Sequence, residues 1–450
     1  MKHSKTSVIA GMAALLLVGS TYTPALASDD GSNGGGNDDK GQNGQAKNVI
    51  FLIPDGFSQS YVNNYRMFKE ESEPIWDERD MFTGYVMTHS NDKVITDSAA
   101  AGTAFATGHK TNNGVIGMSP EGESLPTLVD AAKNAGKRTG LVATSTISHA
   151  TPAAFAANVE SRGSYTEIAK QMVENDHLDL MLGGGRTEFL PEEQGGIRED
   201  GIDLITEAED RGFAYLETKR QLANWDGDEE RLLGLFAEEA LEPAIHQRTD
   251  EPSLGEMTEA AISFLSEEDD GFFLMVEGSQ IDWAGHDNDP LYAMTDTEAF
   301  EEAVKAAVDF ADENNDTLVV MAGDHDTGGM AVHASEEAHP SMLHGMSSIG
   351  ETMAAEVDHR LSNLREVLET NTEFEWTEEE LDEIKAGESL KLAINGAISE
   401  KTGFGWSSYN HTGIDVPLFA YGEGAELFAG TIDNTDVPRL MLQTLGINDF

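Results

Sequence analysis

The sequence predicts an α/β fold, a three-layer αβα sandwich with helices on both faces of a large, mostly parallel sheet. Short apolar runs alternate with amphipathic segments along most of the 450 residues, which is the pattern of parallel βαβ units. The run at 49–53 (VIFLI) is apolar at every position, as in strands that are buried on both faces. Because 39% of the residues are hydrophobic, the chain can bury a large core.

The remaining elements follow from the same two patterns. Further strands are predicted at 139–144, 178–182, 272–276, 317–322 and 416–420, and helices at 126–136, 257–265, 300–311 and 436–445. Residues 334–410 interrupt the alternation, because they are strongly acidic, helical in pattern and rich in small loops. A capping box is predicted at Thr377–Glu380. We expect 334–410 to be a crown-like insertion over the top of the sheet, close to the active site.

The N-terminus predicts export. Two early lysines, an apolar run at 7–19 and Ala25-Leu26-Ala27 form the pattern of a signal peptide, which we place at 1–27. Residues 28–47 are rich in Gly, Asn and Asp and are predicted to be a flexible linker. The catalytic domain is then 48–450, in an extracellular or periplasmic protein.

The charge balance argues against some partners. The chain carries 82 acidic and 28 basic residues, a formal net charge of −54. This charge disfavours binding to nucleic acids and to anionic membrane surfaces. It is typical of a heavily hydrated surface in a salty or alkaline medium. The chain has no cysteine, so its stability must come from its core and from bound metal rather than from disulfides.

Ser98 lies at a predicted helix start. It stands between Asp97 and a run of small residues (AAAGTA), and Asp or Ser before such a run is typical of an N-cap. Backbone N–H groups and the helix dipole favour an anion there. Taken alone, however, a serine at this position is more often only a cap.

Ligand-type side chains follow several of the predicted strands. Asp55, Glu277, Asp324 and His325 stand at strand ends, the edge where open α/β sheets bind ligands. Asp282 and His286 are four residues apart, so one helical turn would place them on one face, and His411 precedes the last strand. Carboxylates mixed with imidazoles suit Zn²⁺, and sites made of oxygens alone also admit Mg²⁺.

The segments around these residues resemble the alkaline phosphatase family. They occur in the family's order and span nearly the whole chain after residue 48: PDG at 54–56, TDSAA at 96–100, HATP at 149–152, VEGSQIDWAGH at 276–286, AGDHDTGG at 322–329 and HTG at 411–413. The resemblance implies hydrolysis of small phosphate monoesters through a phosphoserine intermediate, with two Zn²⁺ ions and a third, Mg²⁺-type ion. It also implies a homodimer.

The resemblance assigns roles residue by residue. Ser98 would be the nucleophile, and Arg162 would clamp two phosphate oxygens, a task that suits the guanidinium fork. One zinc would be held by Asp282, His286 and His411, the second by Asp55, Asp324 and His325, and the third ion by Asp55, Thr151 and Glu277. The second zinc would also contact Ser98.

Two positions depart from the best-studied bacterial pattern. His149 and Trp283 stand where that pattern has Asp and Lys. An imidazole near the third ion invites a softer metal than Mg²⁺, so the identity of that ion is open. The missing lysine predicts a weaker hold on bound phosphate.

Two alternatives remain open at this stage. A related hydrolase on the same scaffold could act on phosphate diesters or sulfate esters, although Asp97-Ser98-Ala99 favours the monoesterase. An exported acidic protein could also bind metal for storage or stability without catalysis. Such a protein would lack one or more of the expected ligand or catalytic residues, whereas every expected position is filled here.

Overall fold

The computed structural model describes residues 45–70, 72–225, 227, 229–332, 339–448 and 450. The predicted signal peptide and most of the predicted linker, 28–44, lie outside these residues. The described residues belong to one compact unit. Within them, no helix combines the length and the apolar character needed to cross a bilayer.

A large, mostly parallel sheet forms the centre of the fold, as predicted. The strands are β1 Asn48–Pro54, β2 Phe82–Met87, β3 Arg138–Thr146, β4 Leu180–Gly184, β5 Phe213–Leu216, β6 Arg231–Leu235, β7 Phe272–Gly278, β8 Thr317–Ala322, β9 Asp326–Thr327, β10 Ala331–Val332, β11 Phe404–Gly405, β12 His411–Thr412, β13 Val416–Gly422 and β14 Gly430–Asp433. Ten of them form one sheet in the order β14-β2-β13-β8-β1-β7-β3-β4-β6-β5. Only β13 runs antiparallel to its neighbours, β2 and β8. Two short antiparallel pairs, β9 with β12 and β10 with β11, lie outside this sheet.

Helices connect and cover the strands. They are α1 Gln59–Phe68, α2 Ile75–Glu78, α3 Ser98–Thr107, α4 Leu128–Asn134, α5 Ala150–Ala153, α6 Tyr165–Glu174, α7 Arg186–Phe189, α8 Leu204–Asp210, α9 Lys219–Asn224, α10 Leu254–Leu265, α11 Gln280–Asp287, α12 Pro290–Glu313, α13 Gly350–Glu356, α14 Leu364–Asn371, α15 Glu378–Ala386, α16 Leu390–Thr402 and α17 Asp436–Thr444.

The central strand β1 shows why the fold has three layers. All seven of its residues are buried, and successive side chains point to opposite faces of the sheet. Ile50 and Leu52 belong to one apolar core, whereas Val49, Phe51 and Ile53 belong to another. The uniformly apolar run therefore supplies both cores, and the prediction of helices on both faces is confirmed.

The described part of 334–410 is largely helical and contains α13 to α16. The predicted capping box forms at α15, where Thr377 and Glu380 exchange hydrogen bonds with each other's backbone N–H. Helix α16 packs against α11. Lys391 pairs with the carboxylate of Asp287 at 2.6 Å, and Asn395 donates to the Asp287 carbonyl at 2.9 Å. These bonds fix α16 beside the helix that carries two predicted zinc ligands.

Candidate active site at the carboxyl edge of the sheet

The order of the strands brings the predicted ligands together. Asp55 directly follows β1, Glu277 lies near the end of β7, and Asp324 and His325 follow β8. Strand β1 lies between β7 and β8 and runs parallel to both, with Ile53 opposite Glu277. The carboxyl ends of all three strands therefore meet at one edge, where ligands bind in open α/β sheets.

Ser98 begins α3, as predicted. The N-cap is Asp97, whose Oδ1 accepts from the N–H of Ala100 at 3.0 Å. The Ser98 hydroxyl is buried and lies 3.3 Å from Nε2 of His325. The helix start thus places a hydroxyl and free backbone N–H groups beside the ligands that follow β8.

Asp55, Asp324 and His325 form a fully buried cluster. Nε2 of His325 lies 3.6 Å from Oδ1 of Asp55 and 3.2 Å from Oδ2 of Asp324, and neither oxygen of Asp55 has a hydrogen-bond partner. Burial, with the neighbouring carboxylates Asp324 and Asp282, raises the pKa of Asp55, and burial raises that of Asp324 to about 6. A cation would supply the missing partner and offset the repulsion.

Asp282, His286 and His411 form a second cluster. Helix α11 places Asp282 and His286 one turn apart, as predicted, with Asp282 Oδ2 3.4 Å from His286 Nε2. His411, on β12, brings its Nε2 to 3.4 Å from Asp282 Oδ1. Although burial opposes ionisation of Asp282, the hydrogen bond from His411 and the charges of His325 and His286 hold its pKa below the usual value.

Backbone carbonyls fix both imidazoles of this second cluster. Nδ1 of His286 donates to the Tyr409 carbonyl at 2.7 Å, and Nδ1 of His411 donates to the Thr96 carbonyl at 3.0 Å. Because a carbonyl only accepts, each Nδ1 carries a proton, which leaves Nε2 as the ring nitrogen that a metal would bind when it is unprotonated. Both Nε2 atoms face Asp282, which is the arrangement found around metal-binding histidines.

The third cluster consists of Asp55, Glu277 and His149. Oε1 of Glu277 is buried without a partner, and its Oε2 accepts from the Ser145 hydroxyl at 3.3 Å. Burial raises the pKa of Glu277 to about 7. Thr151, on α5, is buried close to Glu277, and its hydroxyl has no hydrogen-bond partner. The geometry thus adds His149, which the sequence indicated only as a neighbour, to the group that includes the shared carboxylate Asp55.

Arg162 lies beside the helix start. Its Nη1 donates to Asp97 Oδ2 at 3.1 Å and its Nη2 to His149 Nε2 at 3.2 Å. Because a guanidinium cannot accept, Nε2 of His149 is unprotonated. Burial and the charge of Arg162 lower the pKa of His149 to about 4. The Trp283 ring stands edge-on to the His149 ring, with 6.1 Å between their centroids. The two residues that differ from the best-studied bacterial pattern are therefore in contact with each other.

The family model for alkaline phosphatase matches residues 46–447. The chain belongs to the alkaline phosphatase family. Members of this family are phosphomonoesterases. The match covers every element that carries a site residue, from β1 to β12.

Individual alkaline phosphatases resemble the chain over most of its length. Alkaline phosphatase 4 of Bacillus subtilis is 38% identical over 421 residues, 89% of each chain. The crystal structure of the cold-active alkaline phosphatase from a Shewanella species has 32% identity and a TM-score of 0.79, covering 88% of this chain and 99% of that one. A third similar structure is that of a TAB5 alkaline phosphatase mutant in which glutamate replaces a histidine, with Mg bound in the M3 site. It is 28% identical, with a TM-score of 0.70, and the match covers 90% of this chain and 99% of that one.

Some residues of the alkaline phosphatase site were missed by the sequence reasoning. The hydroxyl of Thr327 donates to Asp282 and lies 3.3 Å from Nδ1 of His325, so it links two clusters. Thr327 follows Asp324-His325 within the segment 322–329, and that proximity was the available signal. The sequence leaves the cap of α3 open between Asp97 and Ser98, and the structure assigns it to Asp97. The second role of Asp97, as the partner of Arg162, has no sequence signal, because 65 residues separate the two.

Proposed function

We propose that this protein hydrolyses phosphate monoesters through a phosphoserine intermediate on Ser98, with two zinc ions and a third divalent cation. One observation carries the proposal: the buried Ser98 hydroxyl at the start of α3 lies 3.3 Å from a histidine of a ligand cluster, and Arg162 lies beside the same helix start.

The donor sets fit the proposed ions. Two clusters each combine a carboxylate with imidazole nitrogen, the ligands that Zn²⁺ takes in catalytic sites. In the cluster of Asp282, His286 and His411, both Nε2 atoms face the carboxylate, and in that of Asp55, Asp324 and His325 both carboxylates are buried. The unpartnered oxygens of Asp55 and Glu277 also support bound cations, because buried anionic oxygens without partners are costly.

The chain's own groups account for binding and transfer. Arg162, anchored by Asp97, donates its remaining N–H groups to two phosphate oxygens, and the N–H groups at the start of α3 stabilise the remaining charge. The Ser98 oxygen attacks phosphorus, the ester P–O bond breaks and the alcohol leaves opposite. When bound, the zinc ions would supply Lewis-acid activation of the serine hydroxyl and of water. Water then cleaves the Ser98–phosphorus bond, which releases inorganic phosphate and restores the hydroxyl.

We assign the third site to Asp55, Glu277 and Thr151, with His149 at its edge. Oxygen donors alone would favour Mg²⁺, whereas a nearby imidazole favours softer divalent metals. The TAB5 mutant in which glutamate replaces a histidine has Mg in its M3 site. That structure supports the idea that a histidine in this region reduces the preference for Mg²⁺.

We further propose that the protein is exported after removal of 1–27 and that it acts as a homodimer with 48–450 as its catalytic domain. Val94, Ile95 and Ile414 are exposed to 78%, 44% and 47%. They lie around Gly413, where an added Cβ would be within 3.6 Å of both Val94 and Ile95. Such an apolar patch fits a second copy of the chain. Light scattering of the Val94→Asp variant should show monomers if this patch is the interface.

The decisive experiment measures turnover of a chromogenic phosphate monoester beside its diester and sulfate ester at alkaline pH. We expect fast monoester hydrolysis that chelation abolishes and that Zn²⁺ with Mg²⁺ restores. Ser98→Ala should abolish the phosphoserine and most of the turnover while metal content, measured by mass spectrometry, stays the same. Ser253→Ala removes a serine hydroxyl from the start of another helix, α10, so it controls for the substitution itself and should keep full turnover.

Two results would overturn the proposal. If the enzyme preferred the diester or the sulfate ester, the fold assignment would stand, but the roles proposed for Ser98, Arg162 and the groups around them would have to be revised. Bound metal without turnover of any ester would instead favour a storage or structural role.

A further inference from the structure

Two ligand clusters of the site share a neighbour that belongs to neither. The first cluster consists of Asp55, Asp324 and His325, and the second of Asp282, His286 and His411. Thr327 lies between them, fully buried on the short strand β9, where it pairs with His411 on β12. Its hydroxyl donates to Oδ1 of Asp282 and lies 3.3 Å from Nδ1 of His325. One hydroxyl group therefore contacts a ligand of each cluster.

The chemistry of these groups fixes the direction of both hydrogen bonds. A threonine hydroxyl has one proton and a carboxylate can only accept, so the proton of Thr327 points to Asp282. The hydroxyl oxygen must then accept at its other contact, where Nδ1 of His325 carries the proton. Nε2 of His325 is left as the ring nitrogen that a metal would bind. This nitrogen faces both carboxylates of the first cluster and the Ser98 hydroxyl.

The second cluster shows the same arrangement with a different kind of partner. Nδ1 of His286 and Nδ1 of His411 donate to backbone carbonyls, whereas Nδ1 of His325 meets a side-chain hydroxyl. A partner on the far nitrogen sets the tautomer and the orientation of a metal-binding imidazole. Thr327 supplies this support for His325 and, through the same group, a hydrogen bond to Asp282. Unlike a carbonyl, a hydroxyl can be removed by substitution.

The surrounding backbone holds the Thr327 hydroxyl in place. The N–H of Thr327 donates to the Gly56 carbonyl at 3.0 Å, and its carbonyl accepts from the Tyr61 hydroxyl at 2.8 Å. Two glycines make room for its side chain: a Cβ added at Gly56 would lie 2.8 Å from the hydroxyl oxygen, and one added at Gly285 would lie 2.9 Å from Cβ of Thr327. The hydroxyl therefore has a defined position in a close-packed interior.

We propose that Thr327 is a positioning residue of both zinc sites. Its hydroxyl fixes the metal-binding nitrogen of His325 and the orientation of the Asp282 carboxylate, so it couples the geometry of one site to that of the other. Thr327 acts through these two ligands and lies outside the ligand sets assigned above. The inference rests on the proposed function, because that proposal places zinc in the two clusters.

The test measures zinc affinity in variants of Thr327. Thr327→Val keeps the branched shape and loses the hydroxyl, whereas Thr327→Ser keeps the hydroxyl. Zinc-loaded protein is equilibrated with increasing concentrations of a chelator of known zinc affinity, in excess Mg²⁺, and the zinc retained per chain is measured by mass spectrometry. Thr327→Val should lose both zinc ions at a free zinc concentration about tenfold higher or more, because removing a partner behind a metal ligand typically costs about 10–100-fold in affinity. Thr327→Ser should follow the parental curve.

Thr297→Val is the matched control. Thr297 is also fully buried, on α12, and its hydroxyl donates to the Ala293 carbonyl of the same helix at 2.7 Å. The substitution therefore removes a buried threonine hydroxyl that supports a helix rather than a ligand. It should leave the zinc curve unchanged. If Thr327→Val does not fold, Thr327→Ala removes the hydroxyl without adding bulk and carries the same expectation.

The outcomes separate this inference from the proposed function. An unchanged zinc curve in the variant that lacks the Thr327 hydroxyl, in a parent that binds zinc and hydrolyses phosphate monoesters, overturns the positioning role and leaves the hydrolase standing. Weaker binding of only one zinc ion overturns the coupling. A shift as large in Thr297→Val, or in Thr327→Ser, shows that the hydroxyl is not the cause and also overturns the inference. A parent protein that retains no zinc rejects the proposed function and the inference together.

Discussion

Asp97 connects the start of α3 to the phosphate clamp. Its Oδ1 accepts from the Ala100 N–H at 3.0 Å, and its Oδ2 accepts from Arg162 Nη1 at 3.1 Å and from the Gly114 N–H at 2.9 Å. The guanidinium has a second anchor in His149. Two substitutions can separate these roles, because Asp97→Asn keeps a cap acceptor and removes the charge, whereas Asp97→Ala removes both.

The expected magnitudes follow from these contacts. Hydrogen bonds to charged groups contribute about 1.5–3 kcal/mol. We take the lower end of this range, because 29% of the Arg162 side chain and 19% of the Asp97 side chain remain exposed and water screens the pair. If the pair holds the guanidinium in its phosphate-binding orientation, its loss should weaken binding of inorganic phosphate about tenfold, since 1.4 kcal/mol is a factor of ten. Loss of the cap should cost Asp97→Ala a further ~1 kcal/mol of stability.

Two measurements test this reasoning on the same preparations. Competitive inhibition by inorganic phosphate gives the inhibition constant, and denaturant unfolding gives the stability. Both variants should show a raised inhibition constant, and only Asp97→Ala should also lose the cap contribution to stability. An unchanged or lower inhibition constant in Asp97→Asn would refute the reasoning. Asp97 would then compete with phosphate for Arg162 rather than orient it.

Four further predictions concern other residues of the site and the core. Trp283→Lys adds a cation near His149 and should lower the phosphate inhibition constant about tenfold, whereas an unchanged constant would count against a role for this position in product release. His149→Asp should lower the Mg²⁺ concentration needed for half-maximal activity, because Mg²⁺ prefers oxygen donors; titration of the chelated enzyme measures this. Asp55→Asn should remove more than one ion per chain by mass spectrometry, because Asp55 belongs to two clusters. Burial raises the pKa of Asp296 to about 8, so the folded state holds a proton that the unfolded state releases at lower pH. The free energy of unfolding therefore falls as pH rises from about 4 to 8. Asp296→Asn should flatten this part of the plot of stability against pH.

The sequence predicted the central strands well, because their signal is local. Strand β8 begins and ends where its apolar run does, at 317 and 322, and β1 exceeds its run by one residue at each end. Four strands of the sheet, β2, β5, β6 and β14, were not predicted. Strands β2, β5 and β14 are only partly buried, so their patterns do not stand out from those of surface segments.

The candidate site was predicted where strand ends and motifs mark it, and missed where contacts are long-range. Asp55 and Asp324 each follow an apolar run, so topology alone brings them to one edge. The place of His149 in a ligand cluster depends on the loop after β3, and its bond to Arg162 joins segments with no common pattern. Such contacts follow from packing rather than from periodicity, so one sequence does not contain their signal.

The carboxylate of Asp55 is shared by two of the ligand clusters and so couples them. It follows the central strand β1 and contributes to the cluster with Asp324 and His325 and to the cluster with Glu277 and His149. Without cations, burial and the repulsion between these acids raise their pKa values. A cation in either cluster lowers the cost of ionising Asp55 and so prepares the other. Occupancy of the two clusters should therefore be cooperative, and the same ions that would serve catalysis should stabilise a core edge that no disulfide supports.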